Sequence, residues 1–351
     1  MPLYAWQGRL LDLTDIIEAS SLTSAAKRSV RLYDKTAGRF GHFAAPVHQQ
    51  VISLFYWRDL VEDVGMRVAD APRDWRGYWD FWRSVQDEHR ARGRDELFAF
   101  GWTMGSGAGD TNNFMESVLR AHDVRLLDDD QRLRTDASDV RRGVAESLAW
   151  VAALYTDGYA PPGCVSWDNN GNNAYFLTRA TLLTPNGSLS IPGSIKESDP
   201  EMGSRVVTEY WPEGVSGGAV EPIALPNNAI ALKEGRNNDL AKDFLRFLLE
   251  PRNIEPVILG GNDRWITSDA TLLRRPHWSE PTDQGVRVVA DDLTRATPHW
   301  TLLSAAYNQA AVLGVWARAL GRITLTGTPP REAADEALER MRALGDELDR
   351  V

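Results

Sequence analysis

The sequence predicts an α/β fold. Helical patterns and short strand patterns alternate along the chain, and no region consists of strands alone, which favours helices layered on a sheet over a sandwich or barrel. Neither tandem repeats nor a low-complexity linker interrupts this alternation. The chain has 351 residues, which is long enough for two lobes with substantial cores.

Apolar spacing predicts the elements of the first half of the chain. Residues 1–40 are expected to be mostly helical, with a turn at 34–41. Trp75, Trp79 and Trp82 fall on one helical face, which is typical of core packing. The remaining predicted elements are strands at 51–57 and 96–102 and helices at 58–64, 70–85, 112–121 and 140–155.

The second half has weaker signals. Residues 191–220 are rich in Gly and Pro and predict little regular structure, whereas 223–232 resembles a strand. A helix is expected over 239–250, with an apolar face turned inward. That face comprises Leu240, Phe244, Phe247 and Leu248. Further helices are predicted over 304–320 and after Thr328, which can cap the last one.

The most informative stretch is 166–187, which is expected to form a loop, a short helix, a buried strand and a turn. It surrounds Gly171 with one indole and five amide or carboxylate side chains, namely Trp167, Asp168, Asn169, Asn170, Asn172 and Asn173. Amides supply donors and acceptors together, and an indole supplies a flat apolar face. The combination suits a neutral, hydroxylated ligand such as a sugar. Alternatively, these Asn and Asp residues cap the helix and Gly171 makes a turn.

Composition excludes several classes of function. The net charge of −10 argues against a nucleic-acid partner and against an anionic membrane surface. Thirteen tryptophans are many for this length, and some are expected to line a groove. The single cysteine, Cys164, is expected to be a small buried residue. No segment is apolar enough to span a bilayer, and the first residues lack the pattern of a signal peptide.

No motif for a metal, cofactor or catalytic set is present, so no cofactor is predicted. The glycine-rich loop 104–110 lacks the Gly-Lys-Ser/Thr end of a phosphate-binding loop. The acidic turn 128–130 lacks the spacing of a calcium loop. None of the six histidines has the spacing of a helical zinc pair, and no Gly-x-Ser-x-Gly elbow occurs.

Five segments, in order, resemble the extracellular solute-binding proteins of ABC sugar importers, the family that includes the maltose-binding protein. Residues 44–60, ending in Leu-Phe-Tyr-Trp-Arg-Asp-Leu, are similar to the family's crossover strand, with Trp57 in place of the usual Asn. Ala71–Trp75 resembles the Pro-Lys-Thr-Trp that opens the next helix. The other three segments are 175–187, 228–249 and 327–338.

The resemblance implies a two-lobed, type II periplasmic-binding-protein fold whose lobes are joined by crossover strands. One lobe would comprise 1–50 and 226–280, and the other 51–225 and 281–351. Relatives begin with a signal peptide and roughly two β-α units that precede the region matched here. The chain is therefore expected to lack them and to leave an unpaired sheet edge in the first lobe.

The resemblance and the local patterns together nominate ligand-binding residues. The family position that matches Gln50 often holds a polar sugar contact, and the positions around Trp102, Trp167 and Gly217–Gly218 border the cleft in relatives. The full set of candidates is Gln50, Trp102, Asp110, Trp167, Asn169, Asn170, Trp211, Gly217, Gly218 and Trp265.

The function implied is that of a monomeric substrate-binding component, not an enzyme, which holds a sugar or oligosaccharide in a cleft and delivers it to ABC permease subunits outside the cytoplasm. Ligand binding would shift an open–closed equilibrium of the lobes. The alternative is a glycoside hydrolase that uses two carboxylates, with Asp110 and Asp168 as the first pair to consider. A third hypothesis is a structural remnant that binds nothing.

Overall fold

The computed structural model describes residues 1–350 and divides them into two compact units. Unit 1 comprises 1–51, 188–193 and 222–309, and unit 2 comprises 52–187, 194–221 and 310–350. The chain therefore passes between the units several times.

Residues 51, 188–193, 222–225 and 281–309 belong to unit 1, although the sequence prediction placed them in the second lobe. The reason is local pairing, because Thr297–Pro298 adds to Ile223–Ala224 as a parallel strand within unit 1.

Within residues 1–350 the chain forms eleven strands: β1 (Arg31–Asp34), β2 (Arg39–His42), β3 (Ala45–Gln49), β4 (Ser53–Trp57), β5 (Phe98–Phe100), β6 (Thr181–Asn186), β7 (Val206–Glu209), β8 (Ile223–Ala224), β9 (Asn227–Ala229), β10 (Ile266–Thr267) and β11 (Thr297–Pro298). The α-helices are α1 (Pro2–Trp6), α2 (Thr14–Ala19), α3 (Ser24–Ser29), α4 (Arg58–Glu62), α5 (Trp75–Ala91), α6 (Gly109–Ala121), α7 (Ser138–Thr156), α8 (Gly171–Leu177), α9 (Ser190–Ser198), α10 (Pro200–Gly203), α11 (Asn238–Leu248), α12 (Pro251–Leu259), α13 (Pro276–Ser279), α14 (Gln284–Arg295), α15 (Trp300–Leu303), α16 (Ala305–Val312), α17 (Val315–Thr326) and α18 (Pro330–Arg350).

Unit 2 is built on a four-stranded sheet in the order β5-β6-β4-β7. Strand β4 lies in the middle, antiparallel to both β6 and β7, while β5 runs parallel to β6. Every residue of β4 and β6 is buried, as expected for central strands covered on both faces.

Aromatic side chains fill the core of unit 2. The indoles of Trp75, Trp79 and Trp82 on α5 are buried, which confirms the predicted core face. Trp79 packs edge-on against Trp102 and Trp211, with ring centroids 6.0 and 6.1 Å away. Edge-to-face contacts at such distances are favourable beyond the area they bury.

Unit 1 contains a three-stranded antiparallel sheet in the order β10-β3-β9, a separate β1-β2 hairpin and the β8-β11 pair. The hairpin occupies 31–42, where mostly helix was predicted up to residue 40. The predicted turn is present, with Gly38 at a φ of +66° that favours glycine. Its flanks pair with each other as strands.

Helix α11 buries a face that overlaps only partly with the one predicted, because Leu248 is the only one of the four predicted residues that is half-buried. Leu240, Phe244 and Phe247 are 66%, 58% and 54% exposed, whereas Leu245 and Leu249 are buried in the core of unit 1. The helix has apolar residues on two faces, and only the face with Leu245 and Leu249 packs in the core that contains residues of α2.

Two further regions differ from the sequence prediction. Residues 190–209 form α9, α10 and β7 in place of irregular structure. The predicted helix over 304–320 is interrupted at Gly314, whose φ of +67° separates α16 from α17.

Candidate functional site

The polar stretch of unit 2 is held in place by a tight turn. The Asp168 carboxylate accepts the N–H of Asn170 at 2.8 Å, and the Gly171 N–H reaches the Asp168 carbonyl at 3.2 Å. Gly171 then begins α8 directly against the Trp167 indole. A Cβ at Gly171 would lie 2.3 Å from Cγ of Trp167, so only glycine fits there.

The same stretch also contacts the glycine-rich loop before α6. The Asn169 side-chain oxygen accepts the N–H of Asp110 at 3.1 Å, in the first turn of α6. Gly105 lies so close to the Trp167 backbone that a Cβ would be 2.1 Å from the Trp167 carbonyl oxygen. These contacts bring Asp110, Trp167, Asn169 and Asn170 together, and we call these four residues the helix-end cluster.

Asp110 is the titratable group of the helix-end cluster. Its carboxylate accepts a hydrogen bond from Asn113 at 3.0 Å, a residue that the sequence prediction did not include. Burial outweighs that bond and raises the pKa of Asp110 to about 6. The carboxyl group therefore changes charge in mildly acidic solution.

The remaining polar residues of the stretch have structural roles. Asn172 is fully buried and donates to the Pro185 carbonyl at 3.1 Å, which fixes α8 to β6. Asp168 shapes the turn and Asn169 caps α6, so the capping alternative describes two members of the predicted group. Trp167 retains 8% exposure and packs beside Tyr175, with ring centroids 4.5 Å apart.

Trp102 and Trp211 lie in the core of unit 2. Trp102 has no exposed surface and packs against Trp79, Phe114 and Trp150. Trp211 is 9% exposed and donates its indole N–H to the Ile52 carbonyl at 2.9 Å. These two indoles pack inside unit 2, and little or none of either ring is accessible to a ligand.

Gly217 and Gly218 form an exposed turn with φ angles of +83° and +86°. The turn rests on the C-terminal end of α6, where the Val215 N–H donates to the Ala121 carbonyl at 2.8 Å. The helix-end cluster adjoins the N-terminal end of the same helix. Thirteen residues separate the two ends, or roughly 18 Å of helix, so the structure does not bring the two glycines to the cluster.

The two candidates in unit 1 lie at the end of the β10-β3-β9 sheet. Ile266 pairs with Gln49 and Thr267 with His48, so Trp265 lies across from Gln50, where the two strands end. Gln50 also accepts the Leu225 N–H with its backbone carbonyl at 2.9 Å. The register therefore brings Gln50 and Trp265 together.

His48 and Asn227 complete this group. The His48 imidazole stacks on the Trp265 indole, with 4.6 Å between ring centroids and 17° between ring planes. Asn227 pairs with His48 across the sheet, and its side-chain amide lies 3.5 Å from Nδ1 of His48. We call His48, Gln50, Asn227 and Trp265 the strand-end cluster.

His48 is neutral in ordinary conditions, because burial lowers its pKa to about 4. The sequence prediction missed both His48 and Asn227. The period of two along β3 puts the side chains of His48 and Gln50 on one face, and that signal could have found His48. The pairing with Asn227 is a long-range contact that local patterns do not contain.

None of the helices formed by residues 1–350 combines the length and the apolar character that crossing a bilayer requires. The same residues contain no group of three or more His, Cys, Asp or Glu arranged to hold a metal ion.

Solved structures share this fold at low sequence identity. Maltose-bound MalE3 of T. maritima has a TM-score of 0.75 and 16% identity, covering 97% of this chain and 81% of that chain. A solute-binding protein of Thermotoga lettingae TMO bound to α-D-tagatose gives 0.77 and 13%, covering 98% and 82%. A sugar transporter protein of Arthrobacter chlorophenolicus A6 with bound laminaribiose gives 0.74 and 17%, covering 98% and 82%. No curated protein matches the sequence.

The fold is therefore the α/β periplasmic-binding-protein fold, and its class is that of the solute-binding proteins of ABC transporters. Residues 1–272 match the family described as bacterial extracellular solute-binding protein, and the chain belongs to that family. The predicted family and fold class are confirmed. The family is non-catalytic, so the prediction that the chain is not an enzyme is confirmed and the hydrolase alternative is set aside.

Proposed function

We propose that this solute-binding protein binds a neutral sugar or short oligosaccharide, and that the strand-end cluster of unit 1 contacts it. The observation that carries the proposal is the indole of Trp265, stacked on His48 beside the amides of Gln50 and Asn227. An aromatic ring flanked by amides suits the C–H face and the hydroxyl groups of a sugar.

An amide is exposed in the helix-end cluster of unit 2 as well. Asn170 presents this amide to solvent, whereas the Trp167 indole is as buried as that of Trp211. Neither cluster contains Lys or Arg, which are the usual partners of a phosphate or carboxylate group. Bound maltose, tagatose and laminaribiose in structures of the same fold are consistent with a neutral ligand.

The proposed role includes a partner and a location. Membership in this family and class supports delivery of the sugar to ABC permease subunits, and with it a site of action outside the cytoplasm. We infer both from the family. Co-purification of the protein with ABC permease subunits from its own cells tests the partner.

Thermal melting against a panel of sugars tests the ligand class. A ligand that binds only the folded state raises the melting temperature as its concentration increases. Maltose, laminaribiose, tagatose and mannitol are the first probes, and glucose 6-phosphate and gluconate are charged comparisons. The proposal predicts a concentration-dependent increase with at least one neutral sugar and none with the charged compounds.

Two variants test whether the increase in melting temperature depends on the strand-end cluster. Gln50→Ala removes an amide of the cluster and is expected to reduce the melting shift. Gln7→Ala removes an exposed amide elsewhere in unit 1 and is expected to leave the shift unchanged. Equal shifts in both variants, or a response to the charged compounds alone, would contradict the proposal.

A further inference from the structure

Unit 1 contains a pocket of about 540 Å³ that is separate from the strand-end cluster. Helix α3, helix α14 and the segment around α13 enclose it, and its lining includes none of the four residues of the strand-end cluster. The volume falls within the range of small-molecule sites. We call it the arginine pocket because Arg28, Arg287 and Arg295 line it.

The three guanidinium groups have few hydrogen-bond partners within the protein. Arg287 donates to the Pro281 carbonyl at 3.2 Å, and Arg295 pairs with the buried Asp292 at 2.6 Å. Among residues 1–350, the Arg28 guanidinium has no hydrogen-bond or ion-pair partner. Each guanidinium carries five N–H donors in a planar fork that matches a carboxylate or phosphate. Most of these donors remain available.

The charge balance of the lining favours an anion. Asp291 is the acidic residue in the lining, against three arginines. The chain as a whole has a net charge of −10, so this positive concentration runs against its average. Cationic walls around a low-dielectric pocket raise the local concentration of anions.

Part of the pocket wall is apolar. Leu273, Pro281 and Ala290 are half-buried and leave apolar surface in the lining, whereas Trp278, Leu293 and Ala296 are 3%, 6% and 2% exposed. An inorganic ion alone would leave this wall against water. An anion that carries an apolar or aromatic body would cover the wall and pair with the arginines at the same time.

We propose that the arginine pocket is a second ligand site, which binds a small organic anion made of a phosphate or carboxylate group on an apolar body. Arg28 and Arg287 bind the anionic group, and the half-buried Leu273, Pro281 and Ala290 contact the apolar part. This site is distinct from the sugar contacts proposed above, and neither proposal depends on the other.

Calorimetric titration of the full chain in a buffer free of phosphate tests the site. Phenyl phosphate is the probe, with inorganic phosphate and benzyl alcohol as its two halves. We expect saturable one-to-one binding of phenyl phosphate, and weaker binding of each half. Arg28→Gln and Arg287→Gln are each expected to weaken phenyl phosphate binding by about tenfold, the usual effect of losing a charge-assisted hydrogen bond.

Arg252→Gln is the matched control, because Arg252 is an exposed arginine of unit 1 outside the pocket. It should leave the affinity for phenyl phosphate within about twofold of wild type. Arg28, Arg252 and Arg287 are all exposed, so circular dichroism should show a wild-type fold for every variant. The proposal is overturned by absence of saturable phenyl phosphate binding, by equal affinity for benzyl alcohol or inorganic phosphate, or by equal effects of all three substitutions.

Discussion

The imidazole of His48 and the indole of Trp265 lie face to face, with 4.6 Å between ring centroids and 17° between ring planes. His48 lies in β3 and Trp265 directly precedes β10, which pairs with β3 in antiparallel fashion within unit 1. The stack restricts the rotation of the indole, and Gly261 approaches the same ring so closely that a Cβ would lie 2.6 Å from it. Trp265 is therefore held in one orientation before any ligand arrives.

Substitution of His48 tests this positioning role. His48→Ala removes the stacking partner and is expected to weaken sugar binding by about fivefold, whereas His48→Phe keeps a flat ring and should restore most of the affinity. His277→Ala, at an exposed histidine of the same unit, is the control. Titration calorimetry measures all three, and equal affinities for His48→Ala and His48→Phe would contradict the prediction.

The neutral charge state of His48 predicts how sugar affinity depends on pH. Its pKa of about 4 means that the ring stays uncharged from pH 5.5 to 8. Sugar affinity in the His48→Phe variant should therefore have the same pH profile as the wild type over that range. A change in affinity near pH 6.5 that disappears in the variant would show that His48 titrates in solution.

Asp110 is expected to make stability depend on pH. Burial raises its folded-state pKa from 3.8 to about 6, so the folded protein favours the protonated form. The free energy of unfolding should decrease as pH rises from about 4 to 6 and then level off, by on the order of 2 kcal/mol. Asp110→Asn removes this part of the profile and stabilises the protein at pH 7.

Urea denaturation at several pH values measures the effect. Asp130→Asn, in an exposed loop of the same unit, is the control and should preserve the wild-type profile. The prediction fails if Asp110→Asn and wild type lose stability in parallel between pH 4 and 6.

The close approach of Gly105 to Trp167 predicts a large difference between two glycines of one loop. Gly105→Ala places a methyl group 2.1 Å from the Trp167 carbonyl oxygen and should destabilise unit 2 by about 2 kcal/mol or more. Gly107→Ala meets no atom within 4 Å and should change stability by less than about 0.5 kcal/mol. Chemical denaturation distinguishes the two, and similar stabilities would show that the loops are not packed as described.

The two faces of α11 predict opposite effects for neighbouring residues. Leu245→Ala creates a cavity in the core of unit 1 and should cost about 2–4 kcal/mol. Phe244→Ala changes a side chain that is 58% exposed and should cost less than about 0.5 kcal/mol. A larger cost for Phe244→Ala than for Leu245→Ala, measured by thermal denaturation, would reverse the assignment of the buried face.

Helix α11 also shows where sequence reasoning reached its limit. Its apolar residues recur at helical spacing and predict an amphipathic helix, and the helix is present. Periodicity identifies faces but does not say which of two apolar faces packs on a core. For α5 the aromatic face was unambiguous, and its tryptophans are buried as predicted.

Sequence reasoning also failed for strands that form only because they pair with a segment far away in the chain. Strand β7 lies in a Gly- and Pro-rich region without alternation, and it is a strand because it pairs with β4 about 150 residues earlier. The same reason explains the strand-end cluster. Gln50 and Trp265 were nominated separately, while their adjacency follows from the β3-β10 register and was not predictable from either segment alone.

The most direct test of sugar binding at the strand-end cluster is titration calorimetry of wild type, Trp265→Ala and Phe244→Ala with the neutral sugar that gives the largest increase in melting temperature. Phe244 is an exposed aromatic residue of the same unit outside the strand-end cluster, so it is the matched control. We predict one-to-one binding without turnover, weakened by about tenfold or more in Trp265→Ala and unchanged in Phe244→Ala. Equal affinities in the two variants, or no binding of any neutral sugar by wild type, would contradict the account.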